Sequence, residues 1–312
     1  MLQISNFSKR LLMIGLLIGL IIAAPPAVAL VVGSSFAFAL GKPTGVFDIE
    51  RFARICLQSA IVLLGFNIAM KEVISTGGMY LGVGALYILL ASGLGLLLAS
   101  LLGLSSTDRT LITSGTAICG GTAISSVSPL ISAKAEETAC ALGVVFFLNM
   151  IALVLFPWIG SVLELSQNQF GVWAALAIHD TSSVVGAAQT YGAQAADTAT
   201  IVKLTRTLWL IPLLLVLSFR LKQPGGRIQI PYFVLLFVVA SIIGSFTPVT
   251  ASARTVISDV SHGLLVAALF FIGMQVDRTA IKTMGRRVLG HAFALWLMLI
   301  PCALGIALVI ED

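Results

Sequence analysis

Five consecutive polar residues, His179-Asp180-Thr181-Ser182-Ser183, interrupt an otherwise apolar segment of the chain. The imidazole and the carboxylate can exchange protons, and the three hydroxyls can donate or accept hydrogen bonds. Ionisable side chains in apolar surroundings mark substrate or ion pathways. The run predicts substrate contacts at His179, Thr181 and Ser182, with Asp180 carrying a coupling ion. The alternative is a structural pair, in which His179 bonds to a carbonyl and Asp180 to a cation.

Two cations lie three residues apart in another apolar segment. Lys203 and Arg206 therefore share one helix face and need anionic partners. Asp180 and Asp259 are the candidates, so a structural ion network is one interpretation. The other is an anion site, because two cations suit a sulfate-like oxyanion or a carboxylate, which Arg206 can bind through two hydrogen bonds.

Small and hydroxyl-bearing residues fill the segment from Ser114 to Pro129. Because lipid offers no hydrogen-bond partners, Gly120-Gly121 within it predicts a helix that unwinds and restarts beside a protein-lined cavity. The alternative is close packing of two helices through small residues. The break predicts substrate contacts at Thr116, Cys119, Gly120, Gly121 and Thr122.

Composition predicts the setting of these groups. Of 312 residues, 58% are hydrophobic and 10% charged, where a soluble domain has about a quarter charged residues. Apolar runs recur along the whole sequence, with a mean hydropathy of +1.07. The net charge of +5 comes from cations at the ends of these runs, which indicates membrane topology and no nucleic-acid partner. Four cysteines stand singly, so no disulfide framework and no metal site is expected. No cofactor is expected beyond a coupling H⁺ or Na⁺.

Eleven membrane spans of an all-α protein are predicted. Residues 1–24 have the order of a signal peptide but lead into another apolar run, so they count as the first span. The spans cover residues 11–24, 27–40, 52–70, 79–102, 109–133, 138–163, 170–191, 196–221, 231–246, 254–275 and 287–310.

Lysine and arginine are distributed unequally between the two sides of these spans, which predicts a cytoplasmic N-terminus and a periplasmic C-terminus. The periplasmic side carries only Lys71, Lys134 and Arg254. The cytoplasmic side carries Lys9, Arg10, Lys42, Arg51, Arg54, Arg109, Arg220, Lys222, Arg227, Arg278, Lys282, Arg286 and Arg287.

A short repeat predicts the internal symmetry. Arg109-Thr110-Leu111-Ile112 opens the fifth span and Arg254-Thr255-Val256-Ile257 the tenth, five spans later. An odd offset inverts the second copy, as in secondary transporters. The expected organisation is an extra helix at 1–26, a first inverted repeat at 27–163 and a second at 164–312. The tenth span should then contain the second break, with Asp259 as a coupling-ion group and Ser261 and His262 as substrate contacts.

Two segments resemble the YeiH family of bacterial inner-membrane proteins, described as sulfate exporters. They are Ile118-Cys119-Gly120-Gly121-Thr122-Ala123-Ile124 through Pro129 and Ile178-His179-Asp180-Thr181-Ser182-Ser183 through Ala188. The resemblance implies kinship with cation/proton antiporters and bile-acid symporters, two crossed broken helices in a core domain, and a separate panel domain. It also implies a multi-pass protein of the bacterial inner membrane.

The favoured function is secondary active transport of a small anion by alternating access. Sulfate-like anions, sulfonates and carboxylates are the expected substrates. Two alternatives stay open: an intramembrane enzyme with His179 as general base and Asp180 as orienting group, and an ion channel. The absence of zinc-ligand and nucleophile motifs favours a protein that is not an enzyme. The sequence also leaves a homodimer open.

Two further polar residues have simpler expectations. Asn149 predicts a hydrogen bond between membrane helices. His291, close to Arg287, is expected to be solvated.

Overall fold

The computed structural model describes residues 6–41, 48–221, 232–247, 250–275 and 284–310. Throughout these ranges the regular structure is helical. The helices are α1 (Asn6–Ala23), α2 (Pro26–Leu40), α3 (Ile49–Gly65), α4 (Met70–Leu101), α5 (Ser106–Ala117), α6 (Gly121–Leu130), α7 (Ala135–Val162), α8 (Gln167–Ala177), α9 (Thr181–Tyr191), α10 (Ala193–Leu208), α11 (Leu210–Leu221), α12 (Tyr232–Phe246), α13 (Ala251–Gln275) and α14 (Arg286–Ile310).

Six helical stretches of the described chain are long and apolar enough to cross a membrane: α1, α4, α7, Ala193–Phe219, α13 and α14. Helices α2 and α12 are apolar but shorter. Large apolar side chains such as Leu86, Leu89 and Leu97 of α4 are exposed, as lipid-facing residues are. The protein is therefore a polytopic membrane protein. The predicted fifth and seventh spans are each two short helices, of which only the fifth was expected to be divided. The count of eleven spans stays a prediction.

Part of the predicted charge asymmetry falls on residues that are not described. Lys42, Lys222, Arg227, Arg278 and Lys282 lie outside the described residues, as do Glu311 and Asp312 at the C-terminus. The sidedness of the chain stays a prediction.

The chain divides into two compact units, of which the first comprises Met1–Lys71 and Tyr232–Thr279. It contains α1, α2, α3, α12 and α13. Its core is apolar, with Phe36 of α2 against Phe270 of α13 and Phe52 of α3 against Phe271. Glycine permits close packing of these helices, because a Cβ on Gly33 would collide with the Phe270 carbonyl and one on Gly273 with that of Leu30.

Helix α13 corrects the prediction of a second break in the tenth span. The helix runs unbroken from Ala251 to Gln275, so Asp259, Ser261 and His262 lie on a continuous helix. Ser261 is buried and donates a hydrogen bond to Ala60 O of α3 at 2.8 Å. The short Arg-Thr repeat that led to the prediction marks no shared break, and the second divided helix lies elsewhere.

The second unit comprises Glu72–Pro231 and Ala280–Asp312, and it contains both divided helices. Helix α5 is capped by Ser105, whose Oγ accepts from Asp108 N at 3.0 Å. Helix α8 begins with a capping box, in which Ser166 and Gln169 each accept from the other's backbone N–H. Helices α5 and α8 both end at buried alanines, Ala117 and Ala177.

Candidate functional site

The two breaks of the second unit touch each other. Residues 118–120 separate α5 from α6, and residues 178–180 separate α8 from α9. Gly120 has φ +61°, a conformation that favours glycine. A Cβ on Gly120 would lie 3.2 Å from both Cβ and the backbone nitrogen of Asp180. The predicted break at Gly120-Gly121 is therefore confirmed, and its partner is the His179-Asp180 segment.

Helix α10 places Lys203 against the end of α8. The side chain is fully buried, and Nζ donates to Ile178 O at 2.7 Å and Ala175 O at 3.3 Å. The C-terminal end of a helix carries about half a negative charge on its unpaired carbonyls. The ammonium group thus satisfies carbonyls that the break leaves without intrahelical donors.

Arg206, one turn along α10, joins the ends of both broken helices. Nη1 donates to Leu176 O at 2.6 Å and Ala175 O at 3.1 Å at the end of α8. Toward the end of α5, Nε donates to Ala117 O at 2.9 Å and Nη2 to Thr116 O at 2.6 Å. Its guanidinium carbon also lies 4.9 Å from the centre of the buried Tyr87 ring, within cation–π range.

The last carbonyl of α8 also has a donor. Trp296 Nε1 of α14 donates to Ala177 O at 3.0 Å. Buried backbone carbonyls are nearly always paired, and here three side chains do the work that a further helical turn would have done. The hydrogen-bond partners of Lys203 and Arg206 are backbone carbonyls, and not the Asp180 carboxylate that the ion-network interpretation named.

Asp180 starts α9 as its N-cap. Its Oδ2 accepts from Ser183 N at 3.2 Å and from the Ser182 hydroxyl. The carboxylate thereby satisfies amides at the positive end of α9, which favours a negative charge there. Its other oxygen, Oδ1, is buried and has no hydrogen-bond partner.

Asn149 of α7 fixes the orientation of His179. Asn149 Oδ1 lies 3.1 Å from the His179 backbone nitrogen and 3.1 Å from its Nδ1. The prediction of an interhelical hydrogen bond at Asn149 is confirmed, and its partner is a site residue. His179 also lies beside Trp296, with ring centroids 6.2 Å apart. Its Nε2 is buried and has no hydrogen-bond partner.

Five polar atoms near the breaks, among them the two just described, are buried without a hydrogen-bond partner. Buried polar groups are normally hydrogen-bonded, so each unpaired atom calls for an explanation. Their chemistry is mixed, with acceptors, hydroxyls and an amide donor, as a small polar ligand would require. The atoms are Thr116 Oγ1, Asn149 Nδ2, His179 Nε2, Asp180 Oδ1 and Ser183 Oγ.

The second unit therefore gathers most of the predicted site residues. Cys119 is buried within the first break, and Gly121 and Thr122 open α6, with Thr122 exposed. Thr181 and Ser182 are buried in the first turn of α9. The remaining members of this group are Thr116, Gly120, His179, Asp180, Lys203 and Arg206.

Three predicted site residues belong to the other unit. Asp259 is exposed, Ser261 bonds to α3, and His262 is half-buried, all on α13. The expectation for His291 was also wrong: this residue is buried, and its Nε2 lies 2.9 Å from Gly95 O. Tyr87 and Trp296 were missed, since nothing in an apolar segment distinguishes them from packing aromatics.

Comparison with known proteins identifies the family. The family model described as conserved hypothetical protein 698 matches residues 12–292. A UPF0324 membrane protein of Bdellovibrio bacteriovorus is 37% identical over 289 residues, covering 91% of this chain and 89% of the relative. One from Photobacterium profundum is 42% identical over 278 residues, covering 88% of this chain and 84% of the relative. One from Geobacter sulfurreducens is 39% identical over 276 residues, covering 86% of this chain and 88% of the relative.

No solved structure matches the chain. The match to the family model spans most of the sequence, including both breaks and the cations Lys203 and Arg206 of α10. The relatives match over nearly their full length and carry the description of membrane protein, in agreement with the apolar helices described above. The chain therefore belongs to the conserved hypothetical protein 698 family and is a relative of the UPF0324 membrane proteins.

Proposed function

We propose that the protein is a secondary transporter that moves a small anion across the membrane by alternating access. The observation that carries the proposal is the set of charges where the two breaks touch, which we call the crossing of the divided helices. Among the described residues, the buried Lys, Arg, Asp and Glu side chains are Lys203, Arg206 and Asp180, two cations against one carboxylate.

The electrostatics of the crossing favour a bound anion. With Lys203 and Arg206 protonated and Asp180 ionised, the three side chains carry a net charge of about +1. Each break adds one helix C-terminus and one helix N-terminus, whose half charges have opposite signs. An uncompensated charge in a buried site costs several kcal/mol. A small anion would remove that cost while it is bound.

The direct contacts to the anion come from groups other than the two cations. Arg206 makes four hydrogen bonds and Lys203 two, all to backbone carbonyls. The first N–H groups of α6, at Gly121 and Thr122, have no intrahelical acceptor and suit an anion. In this proposal Lys203 and Arg206 attract the anion through their charge, and the amides and hydroxyls at the breaks hold it.

Sulfate-like anions, sulfonates and small carboxylates are the proposed substrates, in keeping with the resemblance to the YeiH family. We further propose eleven membrane crossings, in which α5–α6, α8–α9 and α10–α11 each count as one. The cation distribution then supports an inner-membrane protein with a cytoplasmic N-terminus and a periplasmic C-terminus. Residues 27–163 and 164–312 would each hold one divided helix that crosses the other, although at different places in the helix order.

Transport is favoured over catalysis by the hydrogen bonds of His179 and Asp180. A general base needs a partner that orients its ring. The ring of His179 bonds to Asn149, while Asp180 bonds to the first turn of its own helix. The two side chains therefore do not form the His179–Asp180 pair on which the enzyme interpretation depends.

Uptake into proteoliposomes tests the proposal. Labelled sulfate, sulfite, methanesulfonate and acetate would be offered with and without pH and sodium gradients, and the products would be analysed after uptake. We expect saturable uptake of at least one unmodified anion, driven by a gradient. Chemical conversion of the anion would indicate an enzyme, and uptake that never saturates would indicate a channel.

A further inference from the structure

The hydrogen bonds of Asn149 determine which nitrogen of His179 carries the proton. Asn149 Oδ1 lies 3.1 Å from the His179 backbone nitrogen, whose N–H can only donate. The Asn149 atom at this point must therefore be the oxygen. The same oxygen lies 3.1 Å from Nδ1, so Nδ1 must carry a hydrogen to bond to it. In the neutral ring Nε2 then has a bare lone pair.

The bare Nε2 cannot contact an anion while the ring is neutral. It is buried and unpartnered, and an anionic oxygen would meet it lone pair to lone pair. After Nε2 takes up a proton, it becomes a donor to that oxygen. Direct contact between His179 and an anion thus requires one proton.

The charges around His179 make the proton and the anion depend on each other. Lys203 and Arg206 of α10 place their charges just before His179 in the chain, on the carbonyls of Ile178 and Leu176. Helix α7 presents the neutral Asn149 to the ring, and α14 the neutral Trp296. Asp180 and Cys119 are the titratable groups at the two breaks. A third positive charge beside two cations is unfavourable until an anion arrives, so each ligand raises the affinity for the other.

We propose that His179 takes up one proton at Nε2 when the anion binds, so that proton and anion bind together. This inference rests on the proposed anion site and names the coupling ion and its carrier. The proton comes from water, forms an N–H bond at Nε2, and leaves when the anion dissociates. His179 replaces Asp180, the carrier expected from the sequence, because Asp180 Oδ2 already accepts hydrogen bonds from the first turn of α9.

Calorimetry on the full-length protein in detergent tests the proposal. Sulfate and methanesulfonate are the probes, because neither changes protonation near neutral pH. The heat of binding is measured in two buffers with different ionisation enthalpies, which counts the protons taken up per anion. We expect about one proton per anion and a Kd that rises about tenfold per pH unit above neutrality.

Three variants identify the carrier. His179→Gln should bind the anion without proton uptake, because its amide donates without titrating. Asp180→Asn keeps a good N-cap and should still take up one proton. His291→Gln, at another buried histidine, should match the parent protein.

Contrary results are separable. Anion binding without proton uptake by the parent protein, or loss of the proton in Asp180→Asn alone, overturns the inference and leaves the anion site standing. Failure of both anions to bind overturns the inference, and the uptake assay with all four anions then decides whether the proposed function fails with it. If His179→Gln unfolds, the proton count of the parent protein and of Asp180→Asn still decides.

Discussion

Arg206 holds the ends of α5 and α8 through one planar side chain. Its four hydrogen bonds reach carbonyls that lie about 60 residues apart in the sequence, at positions 116–117 and 175–176. Lysine carries its donors on a single nitrogen and cannot reach both helix ends. The guanidinium group is thus a structural link within the site as well as a source of positive charge.

The first prediction concerns this link. Arg206→Lys should destabilise the protein by about 3 kcal/mol or more, since hydrogen bonds to charged groups contribute about 1.5–3 kcal/mol each. Thermal unfolding in detergent should show a lower Tm, and calorimetry should show weaker anion binding. Arg287→Lys, at an exposed arginine in the first turn of α14, is the control and should leave Tm unchanged. An unchanged Tm in Arg206→Lys would exclude the link.

The second prediction concerns the partner of His179. Asn149→Leu removes the acceptor of two hydrogen bonds and leaves the His179 backbone N–H unpaired, at a cost of about 1–3 kcal/mol. Anion binding should weaken because the ring loses its fixed orientation. Asn149→Gln, which keeps an uncharged acceptor oxygen, should recover more of the binding than Asn149→Leu. Equal loss in both variants would show that the acceptor is not what matters.

At this scale the sequence predicts which residues are unusual better than it predicts their partners. The spacing of Lys203 and Arg206 within an apolar segment identified two cations that need compensation. Their partners are backbone carbonyls, which exist as free acceptors only because two helices end at that point. Every residue has a backbone carbonyl, so the sequence does not show which carbonyls lack a donor. It shows only the carboxylates Asp180 and Asp259 as candidate partners.

The divided helices are the elements that make the site. Gly120-Gly121 within a run of small residues predicted the first break. In the structure Gly120 adopts a conformation that other residues rarely tolerate. The second break contains no glycine, and a short repeat directed the prediction to α13. A signal was present: Asp180-Thr181-Ser182-Ser183 has the residue types of a helix N-cap in the middle of an apolar segment.

The third prediction concerns the contact between the two breaks. Gly120→Ala places a methyl group 3.2 Å from the backbone of Asp180 at a positive φ, so the two breaks must separate. We expect loss of anion binding and a lower Tm. Gly93→Ala is the matched control, because Gly93 lies in α4 with nothing within 4 Å of the added methyl group. Binding by Gly120→Ala equal to that of Gly93→Ala would refute the contact as a requirement.

At the scale of the whole molecule, the account requires that the divided helix α5–α6 crosses the membrane. The fourth prediction uses two exposed positions, Ser106→Cys at the start of α5 and Ala135→Cys shortly after the end of α6, in a protein without other cysteines. A membrane-impermeant maleimide should label Ala135→Cys in intact cells and Ser106→Cys only after permeabilisation. Labelling of both from the same side would mean that α5–α6 enters and leaves on one side.

The central claim is that the crossing of α5–α6 and α8–α9 binds and carries a small anion. Counterflow tests it most directly: proteoliposomes loaded with an unlabelled anion take up the same anion in labelled form. The account predicts that sulfate, sulfite, methanesulfonate or acetate accumulates transiently with the parent protein and with Gly93→Ala, and not with Gly120→Ala. Absence of counterflow for all four anions, or undiminished counterflow in Gly120→Ala, would contradict it.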